Sequence, residues 1–234
     1  KQIAVIHHGI SPRFKGEVKT QKPIENYFPE NPFKLLYVST VHVYKHQWSV
    51  VEAVARLRQK GYRVELNLVG GVIFNPAGKK LEKAIQETDP QRKFIHYHGH
   101  VQYDKIDEFY KKADGIVYAS TCENMPNILI ESMASGLPIA CSNKQPMPEF
   151  LKENGFYFNA KSVDSIANAI EEMLLNPEKR ETMAKKNIEE VKRYNWQSTA
   201  YISTFTPCIL TMSATWLEYI DNRMGPSPEA HPTG

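Results

Sequence analysis

From Phe33 to about Tyr194, short apolar runs rich in β-branched residues alternate with stretches whose apolar positions recur every three or four residues. A run that is apolar on both faces needs cover on both sides, so this alternation predicts a parallel sheet with crossover helices. The runs predict strands at 35–39, 64–69, 94–98, 115–119, 138–141 and 155–158. The helical periods predict helices at about 48–60, 77–88, 104–113, 126–135, 162–175 and 177–194. Punctuation supports them: Ser162 is a fitting N-cap before the stripe Ile166, Ala169, Ile170, Met173 and Leu174. Asn176-Pro177-Glu178 supplies a cap residue, a proline for the first turn and an acid near the positive dipole end. Gly61 and Gly136 stand where a helix closes on a left-handed residue. The fold class is therefore α/β, a doubly wound Rossmann-like domain with a parallel sheet of about six strands flanked by helices.

The pattern changes at both ends. Residues 1–33 hold one short apolar run, Ile3 to Ile6, then polar residues and prolines with little to pack. After Arg193 the chain carries only four charged residues, Glu218, Asp221, Arg223 and Glu229. A packed helix or tail over 198–234, with a disordered and non-native end, is the expectation there.

Composition narrows the function classes. A net charge of +3 over 234 residues does not call for nucleic acid as partner. No apolar run approaches eighteen residues, so no transmembrane segment is expected. Cys122, Cys141 and Cys208 form no CxxC pair and read as reduced thiols, which places the chain in the cytoplasm, with peripheral membrane association compatible.

In an open α/β sheet, ligands bind beyond the carboxyl ends of the strands. Four such loops carry polar residues. After the first strand, Ser39 to Gln47 brings Lys45 to the front of a helix whose own N-terminus is positive, a pairing suited to phosphate, the plainer alternative being a solvated surface lysine. After the second, Gly70-Gly71 turns the chain or admits a ligand to the backbone. It is neither GxGxxG nor a P-loop, so dinucleotide binding and NTP hydrolysis are not indicated. After the third come His96, His98 and His100. No neighbouring carboxylate completes a metal set, which leaves His96 and His98 as core-edge packing and His100 in the ligand cleft. After the fourth, Glu123 precedes a helix with Glu131 inside it. With 26 acids in the chain, about three such spacings arise by chance, so the context carries the signal. Glu123 sits at a strand's carboxyl end, Asn124 and Met125 offer backbone N–H groups, and a helix dipole points the same way. Carboxylates there accept hydrogen bonds from sugar or ribose hydroxyls. The plainer alternatives are dipole stabilisation for Glu123 and solvent exposure for Glu131.

This stretch resembles the C-terminal domain of the family 4 (group 1) retaining glycosyltransferases. Their Glu-x7-Glu signature is matched by Ser120-Thr121-Cys122-Glu123, Pro126-Asn127 and Glu131-Ser132-Met133-Ala134-Ser135-Gly136-Leu137-Pro138. Other landmarks follow in order: His8 to Phe14 as the linker into this domain, Leu35 to Ser39 with Lys45-His46, Leu66 to Gly70, His98 to Val101, and Ala113-Asp114-Gly115. The resemblance runs from about residue 5 to 197.

The resemblance implies a role for each matched residue. Lys45 holds the donor's diphosphate. Glu123 contacts the donor sugar and is the catalytic candidate. Asn124, Met125, Pro126 and Asn127 form the loop whose backbone approaches sugar and phosphates, Glu131 takes the ribose, and His100-Val101 read the base. The donor is a nucleotide-diphosphate sugar of UDP or GDP type, transferred with retention to a glycan or lipid acceptor. No further cofactor and no metal are implied. Residues 1–30 are the remnant of an interdomain linker, 31–197 the donor-binding domain, and the partner it lacks is an N-terminal Rossmann-like domain. Relatives commonly place an arginine about five residues before the lysine. Thr40 stands there instead, with His42 and His46 nearby as the groups that could compensate. A sugar-nucleotide epimerase, a phosphorylase, or a nucleotide-binding module without transfer are the other readings. A phosphorylase would need a lysine for pyridoxal phosphate.

Overall fold

A computed structural model of the chain describes residues 8–194 and 196; the expected tail over 198–234 lies outside them. Six parallel strands run β1 (Phe33–Val38), β2 (Val64–Val69), β3 (Ile95–Tyr97), β4 (Gly115–Tyr118), β5 (Ile139–Ser142) and β6 (Phe156–Phe158). They stand in the order β3-β2-β1-β4-β5-β6. Register pairs Leu35 with Leu66 and with Gly115, so β1 is the central strand between the two halves. Strands β1, β4 and β5 are buried almost throughout, which is why they read as continuous apolar runs and not as alternating ones.

Among the described residues, seven α-helices cover the sheet: α1 (Gln47–Gln59), α2 (Asn75–Thr88), α3 (Ile106–Lys112), α4 (Asn127–Ala134), α5 (Met147–Leu151), α6 (Val163–Leu175) and α7 (Pro177–Val191). Helix α1 packs against α2 and α6, while α4 packs against α5 and α7. The expected caps form. Ser162 accepts the Ser165 N–H at 3.2 Å, and Gly61 and Gly136 follow α1 and α4 at φ +96° and +72°. Helix α5 has no counterpart in the sequence pattern. Pro146 and Pro148 masked it, although Pro148 occupies the first turn, where no N–H is needed, and Met147, Phe150 and Leu151 bury one face. The stretch expected as one helix over 104–113 opens instead with a 3₁₀ turn at Tyr103–Lys105. Strand β3 is shorter than expected, at three residues.

The largest difference concerns the segment before β1. It was expected to have little to pack, yet Ile10, Phe14 and Tyr27 are buried in the common core. Main-chain bonds join Ile10 N–H to Tyr194 and Gly16 N–H to the end of α4 at Ala134. Lys19 Nζ donates to the carbonyls of Lys111 and Ala113 at 2.6 Å, capping α3. Buried Arg180 donates to Gln21 and to the carbonyls of Met173 and Leu174 at the end of α6, and also to the Lys22 carbonyl. Polar side chains do the stitching, so hydrophobic pattern alone could not show it. Among the described residues, no helix is long and apolar enough to cross a membrane.

Candidate functional site

The sheet order reverses between β1 and β4, and the crevice beyond their carboxyl ends is where an open α/β sheet takes ligands. The loops after these two strands carry Lys45 and Glu123. Lys45 is buried, at 5% exposure. The Tyr37 hydroxyl, on β1, donates to the Lys45 carbonyl at 2.5 Å and fixes the loop from below. Thr121 N–H bonds the Tyr44 carbonyl at 2.9 Å, closing the β1 loop on the β4 loop.

Lys45 Nζ and Glu123 Oε1 form an ion pair, and the Tyr118 hydroxyl donates to the same Oε1 at 2.7 Å. Burial and the Glu123 charge hold the Tyr118 phenol well above its ordinary pKa, so it stays a donor. Tyr37 is raised likewise, chiefly by burial. The rings of Tyr44 and Tyr118 lie 5.2 and 5.6 Å from the Lys45 ammonium. Lys45 and Glu123 stand out in the sequence as candidate site residues, whereas Tyr37 and Tyr118, which the structure brings to them, do not. The available signal was an aromatic with a polar tip near the carboxyl end of each strand beside the switch point.

His46 opens α1 in the left-handed region, at φ 51°. Its Nε2 lies 3.0 Å from Thr121 Oγ1. Burial, then the charges of Lys161 and Lys80, lower its pKa, so the ring is neutral near pH 7. A neutral ring beside the loop makes His46 a weaker stand-in for that arginine than a fixed cation would be. His42 lies against the rings of Tyr44 and Phe74, its Nδ1 buried without a hydrogen-bond partner.

The other loops meet beside this centre. Gly70 N–H bonds the Gly99 carbonyl at 2.8 Å, and the Tyr97 hydroxyl donates to the Gly70 carbonyl at 3.0 Å. Gly70 has φ +142°, and a Cβ there would lie 2.0 Å from the Ser39 carbonyl oxygen, so only glycine allows the β1 and β2 ends this approach. His100 is exposed next to Gly71, and Val101 is half-buried against the core. His98 is exposed on one side, but its ring packs edge-on against Phe109 at 4.8 Å and it bonds Asn67 at 2.9 Å, so it sits at the edge of the core as expected. His96 does have a carboxylate neighbour. Glu65 on β2 faces it at 3.7 Å, an ion-pair distance too long for a hydrogen bond, which raises the His96 pKa. Among the described residues, no three His, Cys, Asp or Glu side chains gather as a metal set.

At the front of α4, Asn124 is exposed and Met125 half-buried, with its sulfur 3.3 Å from the His8 N–H. Pro126 is the buried N-cap residue, and Asn127 starts the helix. Glu131 is not solvent-exposed but 4% accessible. The Tyr103 hydroxyl lies 3.4 Å from its Oε1, and it lines a pocket of about 10 Å³ with His8, Gly9, Ile10, Asn127 and Ile130. The structure thus joins Lys45 to Glu123 directly and sets Glu131 against the segment before β1. A far larger surface depression, about 800 Å³ between α7 and the Lys152–Asn154 turn, contains none of these residues.

A family profile described as "Glycosyl transferases group 1" matches residues 18–190. The sulfoquinovosyl transferase SQD2 of Arabidopsis thaliana is 25% identical over 193 residues, covering 80% of this chain and 35% of that protein. A lipopolysaccharide 1,2-N-acetylglucosaminetransferase of Salmonella typhimurium is 25% identical, covering 85% and 54%. The chain therefore spans about a third to a half of the length of these curated relatives. Among solved structures, sucrose-phosphate synthase from Thermosynechococcus elongatus superposes with TM-score 0.72 at 23% identity, over 87% of this chain and 51% of that one. Anabaena Alr3699/HepE in complex with UDP and glucose superposes with TM-score 0.66 at 20% identity, over 76% and 50%. At these identities the likeness is one of fold.

Proposed function

Because the chain belongs to the group 1 glycosyltransferases, we propose that it is the donor-binding domain of an enzyme that transfers a sugar, with retention, from a nucleotide-diphosphate sugar to a glycan or lipid acceptor. The observation that carries this reading is the buried Lys45–Glu123 pair at the switch point of the sheet. Lys45 and the N-terminus of α1 take the diphosphate. Glu123 accepts hydrogen bonds from the donor sugar and steadies the positive charge that grows as the diphosphate leaves. Glu131 takes the ribose, the Asn124–Asn127 loop approaches the sugar, and His100-Val101 border the base. Cationic groups and helix N-termini serve in place of a metal, and no further cofactor is needed.

The acceptor side belongs to a second, N-terminal Rossmann-like domain, and residues 1–30 are the linker to it. A UDP- or GDP-type donor fits a chain whose neighbours include a complex with UDP and glucose. The free thiols of Cys122 and Cys141 accord with a cytoplasmic place of work. The named relatives are transferases, and they lend nothing to the epimerase or non-catalytic readings. Calorimetric titration with UDP, GDP, ADP and dTDP tests the proposal. One of them binds saturably, and Lys45→Met weakens it. Absence of binding by all four, or indifference to Lys45→Met, overturns it.

A further inference from the structure

Lys45 and Glu123 come from separate loops, yet each is the other's charge partner. The lysine has little freedom to serve a second anion. Its main chain is held by the Tyr37 hydroxyl, and the rings of Tyr44 and Tyr118 flank its ammonium. Only 7% of its side-chain surface remains accessible, against 15% for Glu123. A phosphate arriving at this ammonium meets a carboxylate already on it, and two anions on one cation repel each other. Glu123 is also held from behind by the Tyr118 hydroxyl.

We propose that Glu123 is a specificity-determining residue that competes with the diphosphate for Lys45, so that the site favours a sugar-bearing donor over the bare nucleoside diphosphate. The inference rests on the reading that Lys45 takes the diphosphate. An ionised carboxylate only accepts hydrogen bonds. A donor's sugar hydroxyls give Glu123 new hydrogen-bond donors when the diphosphate claims its lysine. A nucleoside diphosphate claims the lysine and offers the carboxylate nothing. Once the sugar has been transferred, Glu123 returns to Lys45 and helps to expel the product.

The test titrates the chain and its Glu123→Gln, Lys45→Met and double variants with UDP, GDP, ADP, dTDP, a nucleotide sugar matching each of them, and uridine. Glutamine keeps an oxygen for the Tyr118 hydroxyl and removes the charge. With whichever diphosphate the parent binds, Glu123→Gln binds about tenfold tighter or more, the lower end for freeing a charge-assisted hydrogen bond. The matching nucleotide sugar gains less, so the preference for donor over diphosphate shrinks by about the same factor. Uridine does not respond. The gain vanishes when Lys45 is already methionine. Unchanged or weaker diphosphate binding in Glu123→Gln, or a gain that persists without Lys45, overturns the competition. Parent-like diphosphate binding by Lys45→Met, or no diphosphate binding by the parent, overturns instead the reading beneath it.

Discussion

Replacing Arg180 with methionine should cost the domain about 3 kcal/mol, within the roughly 2–5 kcal/mol that loss of a buried hydrogen-bond hub produces. The side chain is 0% exposed and lies 5.2 Å from the centre of the Phe33 ring. Nη1 donates to Met173 and Leu174 at 2.9 and 2.7 Å, and Nε to Gln21 Oε1 at 2.9 Å. Methionine keeps the apolar stem and removes every donor. The Met173 and Leu174 carbonyls are then unpaired where α6 ends, since the last turn of a helix has no partners of its own. Two buried unsatisfied acceptors at about 1–3 kcal/mol each dominate the total, because water can reach Gln21 and Lys22. With a urea slope of about 2–3 kcal/mol/M, the midpoint should fall by about 1–1.5 M. Amide exchange in residues 19–27 should accelerate more than in β1. Arg180→Lys keeps the charge but cannot bridge all four acceptors, and should lose about half as much. A methionine variant whose midpoint stays within about 0.2 M of the parent would refute the reasoning.

Glu131→Gln should weaken nucleoside diphosphate binding by about 1.5–3 kcal/mol, the range for charged hydrogen bonds, and leave sugar 1-phosphate binding unchanged; equal losses for both ligands in calorimetry would reject the ribose role. Tyr118→Phe deletes a buried hydroxyl bonded to Glu123 and should lower the melting temperature by about 2–4 °C, checked by calorimetric scanning. Gly70→Ala forces a Cβ to within 2.0 Å of the Ser39 carbonyl, so the chain should express poorly or bind no nucleotide. The depressed His46 pKa means that the unfolded chain takes up this proton first. Its stabilisation is therefore complete above the unfolded value of about 6.5 and is lost as pH falls through the lower folded value. His46→Gly suits the left-handed backbone and removes the ring, so urea midpoints measured from pH 7 to 5 should fall less steeply than in the parent.

Most of the fold was legible because its signals are local. Buried parallel strands write continuous apolar runs, and caps such as Ser162 and Gly136 act on their immediate neighbours. The placement of Lys45 and Glu123 was legible too, since a loop after a strand and before a helix lies beyond the carboxyl end of such a sheet. Their pairing was not. It joins residues 78 positions apart, and depends on Tyr37 and Tyr118 turning hydroxyls toward them. The burial of Glu131 was hidden for a related reason. The residues covering it, His8 to Ile10, belong to a polar segment whose packing rests on backbone bonds and on Arg180 and Lys19. Single side chains reaching distant carbonyls leave no period in a sequence.

The departure at Thr40 sharpens the electrostatics of the proposed phosphate site. An arginine there would stay charged at any working pH and hold two oxygens at once. Thr40 is exposed and uncharged, and His46 is kept neutral. What remains at the switch point is Lys45, half-cancelled by Glu123, and the N-terminus of α1, where the Gln47 and Trp48 N–H groups precede the first main-chain bond of the helix, from Ser49 to His46. Helix N–H groups do not titrate and cannot be neutralised by a neighbouring acid. A site built this way depends more on backbone geometry than on side-chain charge, which is why the close approach at Gly70 and the left-handed turn at His46 matter to it. It follows that restoring the cation, as Thr40→Arg, should tighten nucleoside diphosphate binding and steepen its dependence on salt, as added exposed charge does. If that variant binds no tighter at low salt, the diphosphate does not lie beside residue 40.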